Sequence, residues 1–102
     1  MILAGQFESL IEDLYRMQNR IEWTPRAARQ LRKLPSPAQI AIRDAVRDKL
    51  PHFPACSGVK KLLDHDHGYR LRVGDYRVLF EFDGAIRLVR IEKVVKRDES
   101  TY

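Results

Sequence analysis

Between Gly68 and Ile91 the chain reads GYRLRVGDYRVLFEFDGAIRLVRI, in which aromatic and branched residues alternate with charged ones and are twice interrupted by Gly and Asp. Alternation of this kind belongs to strands, whose successive side chains point to opposite faces. Gly74-Asp75 and Asp83-Gly84 fall at the interruptions, and such residues supply the positive backbone angles of tight hairpin turns. The stretch therefore predicts three consecutive antiparallel strands joined by two-residue turns. That loop length sets a register in which Val73 faces Tyr76, Arg72 faces Arg77, Leu71 faces Val78 and Tyr69 faces Phe80. Across the second turn it places Val78 opposite Val89 and Arg77 opposite Arg90.

One face of this meander collects Tyr69, Leu71, Val73, Tyr76, Val78, Phe80, Phe82, Val89 and Ile91, an apolar layer that needs a cover. The other collects Arg70, Arg72, Arg77 and Arg90, with Leu79, Leu88 and Ile86 further along. Arg72, Arg77 and Arg90 are expected to form a row across the strands. Like charges directly opposite one another destabilise a sheet by about 0.2–1 kcal/mol per pair, so such a row favours an anionic ligand. The planar arginine fork is the side chain best shaped to grip phosphate. A solvated basic face is the competing reading.

The cover comes from upstream. Arg20 to Trp23 is a candidate edge strand, and Thr24-Pro25 then combines a capping hydroxyl with proline at the first helical position. Ala27, Leu31 and Leu34 line one face of the helix that follows, and Pro35 stops it. Ser36-Pro37 repeats the start signal, and Ile42, Val46 and Leu50 stripe a second helix that ends near Pro51. Two helices with so short a connection form an antiparallel hairpin. Pro51 to Gly58 reads as loop, Val59 to Leu63 as a short strand, and Val94 and Val95 complete the last strand. Asp64-His65-Asp66-His67 has the donors of a metal site but not the spacing, so it reads as a polar connector and no metal is assigned. The fold class is α+β: a small antiparallel-rich sheet, β-α-α-β-β-β-β, packed on a helical hairpin.

Residues 5 to 18 add an N-terminal amphipathic helix with Phe7, Leu10, Ile11 and Leu14 on one face. Domain organisation is thus an extension at 1–19 and a body at 20–102. The extension is a docking appendage for the body or a partner, or upstream sequence ahead of a true start at Met17. Net charge is +5, and residues from 21 onward hold 17 basic against 11 acidic side chains. The basic character lies in the body, which makes polyanions its natural partners. Cys56 is the only cysteine, so an internal disulfide is excluded and a packing role follows. No apolar run approaches the ~20 residues of a membrane span, and the acidic N-terminus does not suit a signal peptide. A cytoplasmic protein with no membrane partner and no small-molecule cofactor is expected.

The stretches IEWTPRAARQLRKL and GYRLRVGDYRVLFEF, with a closing K-R-x-x-x-x-Y, resemble the RelE/ParE superfamily of toxins from type II toxin-antitoxin systems, nearer its RelE branch. The resemblance covers about residues 20 to 102. It implies a ribosome-dependent, metal-independent mRNA endoribonuclease that inhibits translation, with a cognate antitoxin, the ribosome and mRNA as partners. It carries catalytic roles to Arg70, Arg72, Arg77, Arg97 and Tyr102, and RNA binding is expected of Lys60, Lys61 and Arg90. The studied pattern has lysines where this chain has Arg70 and Arg72, which favours electrostatic stabilisation over proton donation. A ParE-like inhibitor of DNA gyrase and an inactive RelE-fold binding module are the rival readings.

Overall fold

The structure, a computed structural model, describes residues 18–63 and 68–97. The expected N-terminal helix, the Asp64–His67 connector and Tyr102 lie outside the described residues. In chain order the elements are β1 (Arg20–Trp23), α1 (Pro25–Arg32), α2 (Ser36–Lys49), a 3-10 turn (Leu50–His52), β2 (Val59–Lys61), β3 (Tyr69–Val73), β4 (Tyr76–Asp83) and β5 (Leu88–Lys96). This is the expected β-α-α-β-β-β-β order.

The start of α1 follows from Thr24, whose Oγ1 accepts a hydrogen bond from the Ala27 amide at 3.1 Å and satisfies one of the donors a helix leaves free. At α2 the expectation differs from the structure. Ser36 is the first helical residue rather than its cap, and Pro35 holds the capping place without a side-chain bond. β2 is shorter than expected, ending at Lys61, and Leu63 is exposed.

The strands form one five-stranded sheet in the order β1-β5-β4-β3-β2, with β1 parallel to β5 and the remaining pairs antiparallel. Its apolar face packs on the helical stripe: Ala27, Leu31, Ile42, Val46 and Leu50 meet Leu71, Val78, Phe80, Val89 and Ile91, all of them buried. Phe53 stands edge-on to Tyr69, Phe80 and Phe82, with ring centroids 4.9 to 5.3 Å apart. Half-buried Cys56 also packs on this core. Burial pushes its thiol pKa up, against an opposing pull from the Lys49 charge.

The β3–β4 hairpin has the expected register, with Gly74 at φ 56° in its turn. The β4–β5 hairpin does not. Its loop is Gly84 to Arg87 rather than two residues, because the Asp83 carboxylate accepts from the Ala85 amide at 3.0 Å and Arg87 takes the positive φ of 51°. Val78 therefore faces Val94, Arg77 faces Val95, and Arg90 faces Glu81.

A bulge at Glu92 on β5 adds a further shift, since Leu79 faces Lys93 and Phe80 faces Ile91. Its neighbourhood is served by groups far away in sequence: Thr24 Oγ1 donates to the Glu92 carbonyl at 3.3 Å, and Gln30 Oε1 accepts from the Val94 amide at 2.7 Å. Beyond Trp23 the edge of β5 has no further β1 partner, so α1 and its cap supply these bonds.

Candidate functional site

With the helices on one side, the sheet's other face is left to the polar half of the alternation. At its β3–β4 end, Lys60 on β2 stands opposite Arg70 on β3, and Arg72 stands opposite Arg77 on β4. These positions share one face across three neighbouring strands. Leu79, opposite Arg70, and Val95, opposite Arg77, lie on the same face and are buried. The cations therefore sit around an apolar floor.

The three arginines are held differently. Arg72 is exposed and free to meet a ligand. Arg70 is half-buried and Arg77 is only 4% exposed. Arg77 Nη1 donates to the carbonyls of Gly74 at 3.3 Å and Tyr76 at 3.0 Å, which fixes its guanidinium against the hairpin turn. The Nε atoms of Arg70 and Arg77 are both buried without an acceptor. A buried donor left unmet costs about 1–3 kcal/mol, a cost that functional sites are known to carry. Among the described residues no carboxylate ion-pairs with Arg70, Arg72 or Arg77.

Arg97 follows β5, and its amide donates to the carbonyl of Asp75 in the β3–β4 turn. The backbone of Arg97 is thus tied to the same end of the sheet as Arg72 and Arg77. Tyr102 lies outside the described residues. Lys61 is opposite Tyr69 and so takes the helix-side register of β2, on the other face from Lys60. Arg90 does not join the expected row. It faces Glu81, and its Nε is 3.4 Å from the Glu22 carboxylate on β1. The sequence reading overlooked Lys93, which shares the cationic face opposite Leu79. Only the bulge gives it that position, so local alternation carried no signal for it.

Residues 21–100 match the family described as ParE toxin of type II toxin-antitoxin system, parDE. The chain belongs to the RelE/ParE superfamily. It is a toxin of a type II toxin-antitoxin system. Solved toxins have the same fold. The toxin-antitoxin complex RelBE2 from Mycobacterium tuberculosis matches at 27% identity and a TM-score of 0.69, over 78% of this chain and 99% of that one. The archaeal RelE-RelB complex from Pyrococcus horikoshii matches at 26% identity and 0.68, over 82% and 100%. The isolated E. coli RelE toxin, 19% identical, shares the fold at a TM-score of 0.66 over 80% of this chain and 87% of that one. No curated protein matches the chain significantly.

In this toxin the cationic cluster lies within the family-matched residues, on the five-stranded sheet common to the fold. Among its described residues no group of three or more His, Cys, Asp or Glu side chains is placed to hold a metal ion. No helix among them is long and apolar enough to cross a membrane.

Proposed function

We propose that this toxin is a ribosome-dependent mRNA endoribonuclease of the cytoplasm, with residues 20–102 as its catalytic body. The observation that carries the reading is the cationic end of the open sheet face, where Arg72 and Arg77 face each other beside Arg70 and Lys60, and where the three arginines have no ion-paired carboxylate among the described residues. RNA contains its own nucleophile. The 2′-oxygen attacks the adjacent phosphorus while the bond from phosphorus to the 5′-oxygen breaks, which gives a 2′,3′-cyclic phosphate and a free 5′-hydroxyl. Negative charge grows on the phosphorane oxygens, and guanidinium groups fixed in advance stabilise it without reorganising.

Within this scheme Arg72, exposed, contacts the scissile phosphate, while Arg77 presents its charge from a position locked by two carbonyls. Arg97 joins them from the end of β5. The proton leaving the 2′-hydroxyl passes to Tyr102, or to a ribosomal RNA group in its place, and a proton is returned to the 5′-oxygen. A metal ion has no part in this scheme. A cognate antitoxin with acidic and apolar residues is the expected partner, a reading supported by the RelBE2 and archaeal relatives, which are toxin-antitoxin complexes.

The family match to ParE toxins favours one rival, a protein-binding inhibitor of DNA gyrase. Primer extension on translated messages in cells expressing the toxin alone separates the two. Codon-phased cuts that disappear in Arg72→Ala support the nuclease. DNA-damage signalling without cuts overturns it in favour of gyrase.

A further inference from the structure

The cationic end of the open face is laid out in two rows. Arg72, Arg77 and Val95 stand side by side across β3, β4 and β5, and Lys60, Arg70, Leu79 and Lys93 stand side by side from β2 to β5. Along each strand the rows are two residues apart, ~7 Å, a step comparable to one nucleotide of an extended strand. Arg72 and Arg77, in the first row, face the scissile phosphate in the scheme above.

Lys93 owes its place in the second row to the β5 bulge. Counted on from the Phe80–Ile91 pair without a bulge, Leu79 would face Glu92, Val78 would face Lys93, and Val94 and Val95 would exchange faces. A carboxylate would then stand in the row of Arg70, and the lysine would be turned toward the apolar core. The two valines suit either register, since both are buried in the one that forms. What the extra residue changes at this place is therefore charge: it puts a cation opposite Leu79 where the unbroken ladder would put an anion. Bulges are frequent beside active sites, where they re-aim a side chain. This one is held from the far side by the bonds from Thr24 to the Glu92 carbonyl and from the Val94 amide to Gln30, so the position of Lys93 is built into the docking of α1.

We propose that Lys93 binds the message phosphate next to the scissile one, the second row serving as a subsite one nucleotide along β4 from Arg72 and Arg77. The inference rests on the nuclease reading and adds to it a substrate contact and a direction for the RNA, along the strands rather than across them. A cationic groove that tracks the backbone is the usual way to hold a single strand. A lysine ammonium suits such a subsite, because as a point charge it neutralises a phosphate without demanding one orientation of it. The neighbouring phosphate does not change charge during the reaction, so this contact is as strong in the ground state as in the transition state. It lowers KM and leaves kcat alone.

The experiment measures cleavage of short synthetic messages on programmed ribosomes, with kcat and KM separated, by the full-length wild type, Lys93→Gln and Lys93→Arg. Each message is used with every linkage charged, or with one neutral methylphosphonate on the 5′ or the 3′ side of the scissile phosphate. Lys93→Gln should raise KM about ten-fold, as for one hydrogen bond to a charged group, at unchanged kcat. Its kcat/KM should fall less steeply with salt, the slope against log salt dropping by about 0.7, and Lys93→Arg should recover most of the loss. A neutral linkage on one of the two sides should cost the wild type as much and cost Lys93→Gln nothing further, because the same charge pair is already gone. A wild type that cuts while Lys93→Gln keeps its KM, or loses kcat instead, overturns the proposal alone. So do losses that simply add at both linkages, which would place the lysine on the ribosome or in the fold. A wild type that cuts none of the messages overturns the nuclease reading, and the proposal with it.

Discussion

Arginine stands at both ends of the sheet face that the helices leave open, yet at only one end does an arginine pair with a carboxylate among the described residues. Near the β3–β4 turn, Arg70, Arg72 and Arg77 gather beside Lys60 with no acidic partner among the described residues. Near the β4–β5 turn, Arg90 faces Glu81 and approaches Glu22 at 3.4 Å, while the Asp83 carboxylate is spent on the turn itself. Glu81 also accepts from the Gly68 amide at 2.6 Å, which holds the start of β3. The contrast shows that arginine content does not make an anion site. Cross-strand neighbours do, and they depend on register.

If the two ends differ as described, paired substitutions should separate them. The largest effect is expected in message cleavage. Arg72→Ala should reduce the rate by about 10²–10³, the usual loss for one preorganised charge stabiliser. Arg90→Ala should have a much smaller effect, since its charge is already paired with the Glu22 carboxylate. Both side chains are exposed, so thermal unfolding should move little in either variant. Equal losses of cleavage in the two would break the comparison.

A smaller effect concerns stability at the cationic end. Arg77→Met gives up the two Nη1 bonds to the Gly74 and Tyr76 carbonyls, but it also removes a buried guanidinium with an unmet Nε and no carboxylate partner among the described residues. Urea unfolding should then stay within about 1 kcal/mol of the wild type or rise above it, even as cleavage falls. A loss of several kcal/mol would make Arg77 a structural strut. The smallest effect belongs to the other end, where Glu22 and Arg90 are both about half exposed. A double-mutant cycle on this pair should return a coupling of only about 0.2–1 kcal/mol, decreasing as salt is added.

Much of this was legible along the chain. The Thr24-Pro25 start, the apolar positions of both helices and the whole β3–β4 register follow from local spacing, because a hairpin turn and an N-cap are completed within a few residues. Arg72 opposite Arg77 could be read in the same way. The second hairpin could not. Asp83-Gly84 has the composition of a two-residue turn, but the carboxylate of Asp83 bonds to the Ala85 amide and lengthens the loop. The row therefore loses Arg90, while the separate bulge at Glu92 adds Lys93 to the cationic face.

Sequence by itself determined which side chains share a face wherever a strand runs without a bulge, because alternation is a property of each strand and survives any shift by two residues. Tertiary structure decided which strand segments lie side by side, and hence where positive charge goes unanswered. The β5 bulge at Glu92 is flanked by bonds from Thr24 and Gln30, residues more than sixty positions away that come near only when α1 docks on the sheet. Contacts of that range leave no local trace in the residues they align, and so the boundary between a paired arginine and an unpaired one was set by packing.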